Sequence, residues 1–153
     1  MNDEEFFLKE KLIPSLKKID PDTKGKWGVM SPQQMVEHLG DSLANAYGRL
    51  ILPYVTPPEK KEAFHQFLMS DIPFRENTKN PIMPVTPMAP KFSNLSEAIE
   101  KLEKRIRLFF ETFEKDPSLV TINPVFGPLN FEQNIHLLYK HTKHHLKQFG
   151  IEN

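Results

Sequence analysis

Three of the six histidines in this chain lie within five residues near its C-terminal end, in the stretch YKHTKHHLKQFG (residues 139–150). If the stretch is helical, His141 and His145 are four residues apart and lie on neighbouring turns of one face. Two imidazoles at this spacing can bind one metal ion from a single helix, as the histidines of the H-E-x-x-H pattern do. Because two ligands rarely hold a metal tightly, this pattern calls for a third ligand elsewhere in the chain.

His38 is the candidate for that third ligand. It borders the apolar arc of a predicted helix that begins at the capping sequence SPQQ (residues 31–34) and runs to about Ile51. His141 and His145 border the apolar arc of the last predicted helix in the same way. If the two helices are neighbours, three imidazoles meet across their seam and leave coordination positions open for water or substrate. Imidazole suits Zn, Ni, Fe and Cu alike, so these residues do not select the metal.

Structural roles are the alternative for each histidine, since a single histidine beside an apolar face is usually a hydrogen-bonded structural residue. The helical projection points His136 to solvent and places Lys140 on the same polar side. The lysines around the histidine cluster are interpreted as a solvated face rather than an anion site. Four polar residues are candidates to line the site or to hydrogen-bond to its ligands: Asp41, Asn45, His144 and Gln148.

Composition narrows the class of protein. The chain has 153 residues, which predicts one domain (1–153) with a proper core. Twenty basic and 20 acidic side chains cancel, which argues against a nucleic-acid partner. No cysteine is present, so a metal site must use His, Asp or Glu. The acidic N-terminal sequence lacks the order of a signal peptide and no apolar run suffices to span a membrane, so we expect a cytoplasmic protein.

The N-terminal half is predicted to hold the first two main helices. The first covers residues 3–19 and should kink or divide at Pro14, whose ring blocks a backbone hydrogen bond. Trp27, the only tryptophan, is expected to anchor the following loop on the core. After the helix of His38, the sequence favours a short helix from Pro57 to about Met69.

The C-terminal half is predicted to hold the other two main helices. Residues 70–92 combine many prolines with interleaved apolar side chains, and are interpreted as an extended segment that wraps over the bundle as part of a pocket wall. The third main helix should follow a cap at Ser93 or Ser96, and the fourth should run from an Asn130 cap to Gly150. No strand is predicted, and residues 123–129 are expected to be a tight connector. The fold class is therefore all-α, a four-helix bundle with a long proline-rich connection between the second and third main helices.

Motifs near both ends of the chain carry a family resemblance. They are WGxMSxxQMxxHL (residues 27–39), FGPL (126–129) and YKHxxHHLxQFG (139–150). Together they resemble the DinB-like (DinB/YfiT) superfamily, and in particular one bacterial branch of it. The resemblance implies a four-helix bundle, often dimeric, with a divalent metal bound by His38, His141 and His145. Two positions depart from the branch: Asn123 stands where a histidine is expected and Lys143 where an aspartate is expected.

Superfamily members of known activity include transferases and isomerases that use low-molecular-weight thiols. The resemblance therefore implies a metal-dependent enzyme acting on a small molecule, similar to a thiol S-transferase or a hydrolase, with Zn, Ni or Fe and a thiol as cofactors. The alternative is a non-catalytic metal-binding or stress-associated binding bundle. A third hypothesis is a metal-free histidine cluster that senses pH, with stability changing between about pH 5 and 7.

Overall fold

The computed structural model describes residues 2–76 and 88–151. Six α-helices and one short hairpin make up the fold of this part of the chain. Its elements are α1 (Asp3–Phe6), a π-helical segment (Phe7–Lys11), α2 (Leu12–Leu16), α3 (Pro32–Ala46), a 3₁₀ turn (Pro58–Lys60), α4 (Lys61–Met69), α5 (Leu95–Lys115), β1 (Thr121–Asn123), β2 (Gly127–Leu129) and α6 (Phe131–Gln148). The protein is therefore mostly helical, as predicted. Among the described residues, no helix has both the length and the apolar character needed to cross a membrane.

The two helices that carry the histidines begin at the predicted caps. The Ser31 hydroxyl accepts a hydrogen bond from the Gln34 backbone N–H, and the Gln34 side chain accepts one from the Ser31 N–H. Asn130 and Gln133 form the same reciprocal pair at the start of α6. Each pair satisfies two backbone donors that the first turn leaves without helical partners, so it sets where the helix starts.

Three predicted helix boundaries were wrong. The first helical stretch ends at Leu16, and it widens into the π-helical segment shortly before Pro14, whose ring cannot continue the regular hydrogen-bond ladder. Helix α3 ends at Ala46 rather than near residue 51, since Gly48 adopts a φ of 87° and turns the chain back. The cap of α5 is Asn94, whose side chain accepts from Glu97 N–H, and not one of the flanking serines.

Residues 123–129 form part of an antiparallel hairpin, so the prediction of no strand was wrong. Thr121 pairs with Leu129, and Asn123 pairs with Gly127. The strands are only three residues long and one contains Pro128, so the period-2 pattern that marks a strand had no length in which to appear. Side-chain bonds tie the hairpin to the helices. Thr121 donates to the Ala46 carbonyl and accepts from Asn134.

One large apolar core is built from both ends of the chain. Helix α3 packs against α5 and α6, and the N-terminal helical stretch packs against α5 and α6. The following side chains are fully buried or nearly so: Leu8, Leu12, Leu16, Met35, Leu39, Leu43, Leu102, Phe109, Ile135 and Leu146. A smaller cluster of Leu68, Leu129 and Leu137, with Phe74 and Phe126 against it, lies under α4 and the hairpin.

Two polar side chains of α6 attach α4, and both were wrongly predicted to face solvent. Lys140 is buried, and its ammonium donates to the Phe67 and Ser70 carbonyls at 2.8 and 3.1 Å. His136 bonds the Ser70 carbonyl and the Glu4 carboxylate. Both side chains bind carbonyls at the C-terminal end of α4, where the helix dipole favours the positive charge of Lys140. The projection of α6 alone could not show that α4 would cover this face.

The proline-rich segment is described only at its ends. Phe74 packs into the smaller cluster, and the backbone N–H groups of Lys91 and Phe92 donate to Glu37 on α3. The prediction of an extended wrap over the bundle falls mainly on residues 77–87, which lie outside the described residues.

The hydroxyl of Thr121 is expected to stabilise the junction between hairpin and helices. Replacing it in Thr121→Val leaves the Ala46 carbonyl without this partner in a buried position, which should lower the free energy of unfolding by about 1–2 kcal/mol. Thr112→Val is the matched control, because the Thr112 hydroxyl bonds only the Leu108 carbonyl of its own helix. Urea denaturation of both variants measures the difference, and equal losses would contradict the assignment.

Candidate metal centre

Three imidazoles converge between α3 and α6. His38 Nε2 lies 2.9 Å from His141 Nε2, and His145 Nε2 lies 3.0 Å from His141 Nε2. All three nitrogens fall within 4.8 Å of one another. The helical phases that predicted this meeting were therefore right. The capping boxes fix where the two helices begin, and the packing of α3 on α6 brings their histidines together.

The tautomer of His145 follows from its hydrogen bonds. The Gln148 amide nitrogen donates to the Trp27 carbonyl at 2.8 Å, and a carbonyl can only accept. The Gln148 amide oxygen must then face His145 Nδ1, from which it lies 2.8 Å away. Since an amide oxygen also only accepts, His145 Nδ1 carries the hydrogen, and Nε2 presents its lone pair to the other two imidazoles.

Hydrogen bonds among the three imidazoles cannot satisfy all three Nε2 atoms at once. His145 Nε2 has no hydrogen to give, so its contact with His141 needs a hydrogen on His141 Nε2. That single hydrogen cannot also make a good bond to His38 Nε2, 2.9 Å away. One cation at the centre would accept all three lone pairs at once.

Burial keeps the three rings neutral. Desolvation lowers the pKa of His38 to about 4 against a smaller raising effect of the Asp41 charge, and it lowers the pKa of His145 to about 3. It also places the pKa of His141 well below its usual value, with the neighbouring His145 and His38 adding to the effect. Neutral imidazole is the form that binds metals, so the site does not have to lose protons at neutral pH.

Aromatic side chains surround the outer side of the triad. The ring of Phe74 stands edge-on to His141 at 6.1 Å and to His144 at 6.0 Å between centroids. Trp27 packs on His144 at 5.2 Å, and His144 packs on His145 at 5.1 Å. Burial lowers the pKa of His144 as well. Phe74 belongs to the segment 70–92 that was expected to form part of a pocket wall. It was not singled out as a site residue, because nothing in its local sequence shows that α4 and its C-terminal extension fold back onto α6.

The other candidate residues bond elsewhere. Asp41 pairs with Arg105 at 3.4 Å and reaches the triad only through its charge. Asn45 donates to the Leu50 and Ile122 carbonyls, which joins the end of α3 to the hairpin. Of the four polar candidates, Gln148 hydrogen-bonds directly to a triad member and His144 contacts one.

Two surface cavities lie away from the triad. A groove of about 370 Å³ runs between the N-terminal helical stretch and α5, over Ile13, Ile106 and Phe110. A smaller hollow of about 70 Å³ lies beside α3, near Gly40 and Lys101. No triad residue lines either of them.

No known family model matches the chain, and neither a curated protein nor a solved structure shows significant similarity to it.

The metal-free protein should lose stability in acid. In the unfolded chain the imidazoles of the three triad histidines titrate at about 6.5. Above that pH neither the folded nor the unfolded state binds the proton, so these three histidines contribute no pH dependence. Below that pH the unfolded chain binds protons that the folded site does not bind, which lowers the free energy of unfolding by up to about 1.4 kcal/mol per histidine and pH unit. For His38 this loss continues down to a pH of about 4.

Urea denaturation in chelator, from about pH 7.5 to pH 5, measures this loss. His38→Gln removes one partly buried imidazole and should make the fall in stability shallower. An identical pH dependence in wild type and variant would show that His38 is not held neutral by burial.

Proposed function

We propose that the protein binds one divalent transition-metal ion through His38, His141 and His145, and that it uses the bound ion in chemistry on a small molecule. The observation that carries the proposal is the convergence of three neutral imidazole nitrogens, from the buried His145 and the partly buried His38 and His141, with the lone pair of His145 directed by Gln148. Divalent Zn, Ni and Fe all suit three imidazoles, so the metal identity is left to experiment.

The three ligand nitrogens lie within 4.8 Å of one another, and His141 Nε2 lies 2.9 and 3.0 Å from the other two. A divalent ion held by only three protein nitrogens would keep at least one coordination position open for water or a small molecule.

A metal held by three neutral imidazoles keeps its full positive charge and lowers the pKa of a thiol or water that it binds. The role of the chain is to hold the three nitrogens neutral and in place. Burial does the first, and the Gln148 amide does the second for His145. By resemblance to the DinB-like superfamily, a low-molecular-weight thiol is the proposed nucleophile and a thiol S-transferase-like reaction the proposed chemistry, with hydrolysis as the related possibility.

The same resemblance leads us to propose a four-helix bundle. Its members would be the N-terminal helical stretch, α3, α5 and α6. The packing of α3 on α5 and α6 and of α2 on α5 and α6 supports this grouping.

A non-catalytic metal-binding bundle is the second candidate. The ring of Phe74 stands edge-on to His141 at 6.1 Å between centroids, which favours a covered ion of structural or storage use. The two candidates differ in whether a small molecule can reach the ion.

Metal content tests the common part of both candidates. After removal of adventitious metal and reloading with Zn, Ni, Mn or Fe, elemental analysis should find about one ion per wild-type chain. His38→Ala and His145→Ala should lose it while their circular dichroism stays helical. His65→Ala is the control: His65 is exposed on α4, so this variant should bind metal as the wild type does. Full metal retention by His145→Ala would remove that residue from the site.

Access to the ion separates the candidates. If the site is catalytic, adding a small thiol to the cobalt-loaded protein should produce a thiolate-to-cobalt absorption band that saturates with thiol concentration. The cobalt-loaded protein without thiol, and the His38→Ala protein with thiol, are the blanks. An unchanged spectrum at saturating thiol would favour the covered, non-catalytic site.

A further inference from the structure

We infer that the loop of residues 25–28 controls the metal affinity of the site, by holding the Gln148 amide in the one orientation that makes His145 a ligand. The inference rests on the proposed metal site and assigns to the loop a positioning role in it. The loop contacts Gln148 and His144, and through these two residues it acts on His145.

The loop holds the end of α6 at three points. The Lys26 N–H donates to the Gln148 backbone carbonyl at 2.7 Å. The Trp27 carbonyl accepts from the Gln148 side-chain amide at 2.8 Å. The Trp27 ring packs on His144, one residue before His145. Two of the three contacts are to Gln148 itself, one to its backbone and one to its side chain.

Two glycines leave the space that the Gln148 side chain occupies. A Cβ on Gly25 would lie 3.2 Å from Gln148 Cγ, and also 2.8 Å from the Trp27 backbone oxygen. A Cβ on Gly28 would lie 2.9 Å from Gln148 Nε2 and would displace it. Gly28 has a φ of 74°, so its backbone conformation also favours glycine. The loop therefore forms a close-fitting cradle around the amide.

The orientation of the amide decides whether His145 can bind a metal. With its oxygen toward His145, the amide requires a hydrogen on Nδ1 and leaves Nε2 free to bind. With its nitrogen toward His145, it would donate to Nδ1, and the hydrogen of the neutral ring would move to Nε2 and block the site. The Trp27 carbonyl excludes the second orientation because it needs the amide N–H for itself.

Gly28→Ala tests the cradle with closely matched controls. Gly48 and Gly150 have similar positive φ values, 87° and 82°, so alanine strains the backbone similarly at all three positions. A Cβ on Gly48 or Gly150 would meet only ordinary contacts, at 3.7 Å from Thr121 and 3.8 Å from Lys26. In Gly28→Ala the flexible end of Gln148 can move away, so its loss of thermal stability should be similar to that of the controls.

Metal affinity should separate Gly28→Ala from its controls. Competition with a chromophoric chelator should show about 10- to 100-fold weaker zinc binding in Gly28→Ala, the range expected when a ligand loses its orienting partner. Gly48→Ala and Gly150→Ala should bind as wild type does. Gln148→Ala should weaken binding similarly, and adding Gly28→Ala to it should cost nothing further, because both changes remove one interaction. Wild-type affinity in Gly28→Ala, or equal losses in all three glycine variants, would overturn the inference.

A metal-free measurement keeps this test independent of the proposed function. Long-range ¹H–¹⁵N NMR spectra distinguish the two tautomers of a neutral imidazole. In metal-free wild type at pH 7.5, His145 should carry its hydrogen on Nδ1, and Gly28→Ala should shift population toward Nε2. If wild type binds no metal but the tautomer shifts, the proposed function fails and the positioning role stands. An unchanged tautomer in Gly28→Ala would reject the positioning role even if the metal is bound.

Discussion

The seam between α3 and α6 brings three imidazole nitrogens together where desolvation opposes a positive charge on any of the rings, and that constraint governs the rest of the site. Burial prevents the rings from carrying protons, and the Gln148 amide prevents His145 from donating through Nε2. His141 Nε2 can offer at most one hydrogen, so it cannot make good hydrogen bonds both to His38 Nε2 at 2.9 Å and to His145 Nε2 at 3.0 Å. A polar group buried without a partner costs free energy, and a metal ion is the partner that these donors suit.

The surrounding elements hold α3 and α6 in place along the seam. Reciprocal caps at Ser31 and Asn130 fix where the two helices begin. The hairpin ties α3 to α6 through the Thr121 hydroxyl, which contacts both Ala46 and Asn134. Helix α4 is held over α6 by the buried Lys140, and Phe74 beyond it packs on His141. On the other side, the loop around Trp27 reaches the last turn of α6.

Much of the site could be predicted from the sequence, since helical periodicity relates His38, His141 and His145 to the apolar faces of their own helices. Capping chemistry is local too, so the starts of α3 and α6 were predictable. The predictions that were wrong concern contacts with neighbouring elements, which no local pattern identifies. The helical projection of α6 placed Lys140 and His136 toward solvent because it could not show that α4 covers them. The strands flanking Phe126 are too short to show an alternating pattern. The Gln148–Trp27 bond joins residues 121 positions apart, a partnership that spacing cannot reveal.

Anomalous diffraction from crystals of the metal-loaded protein would locate the ion directly. We expect one anomalous peak per chain at the absorption edge of the loaded metal, within bonding distance of the Nε2 atoms of His38, His141 and His145, about 2.0–2.2 Å. We also expect Gln148 to accept from His145 Nδ1 in that structure. A loaded crystal with its peak elsewhere, or with His38 turned away from the ion, would contradict a metal site formed by these three histidines.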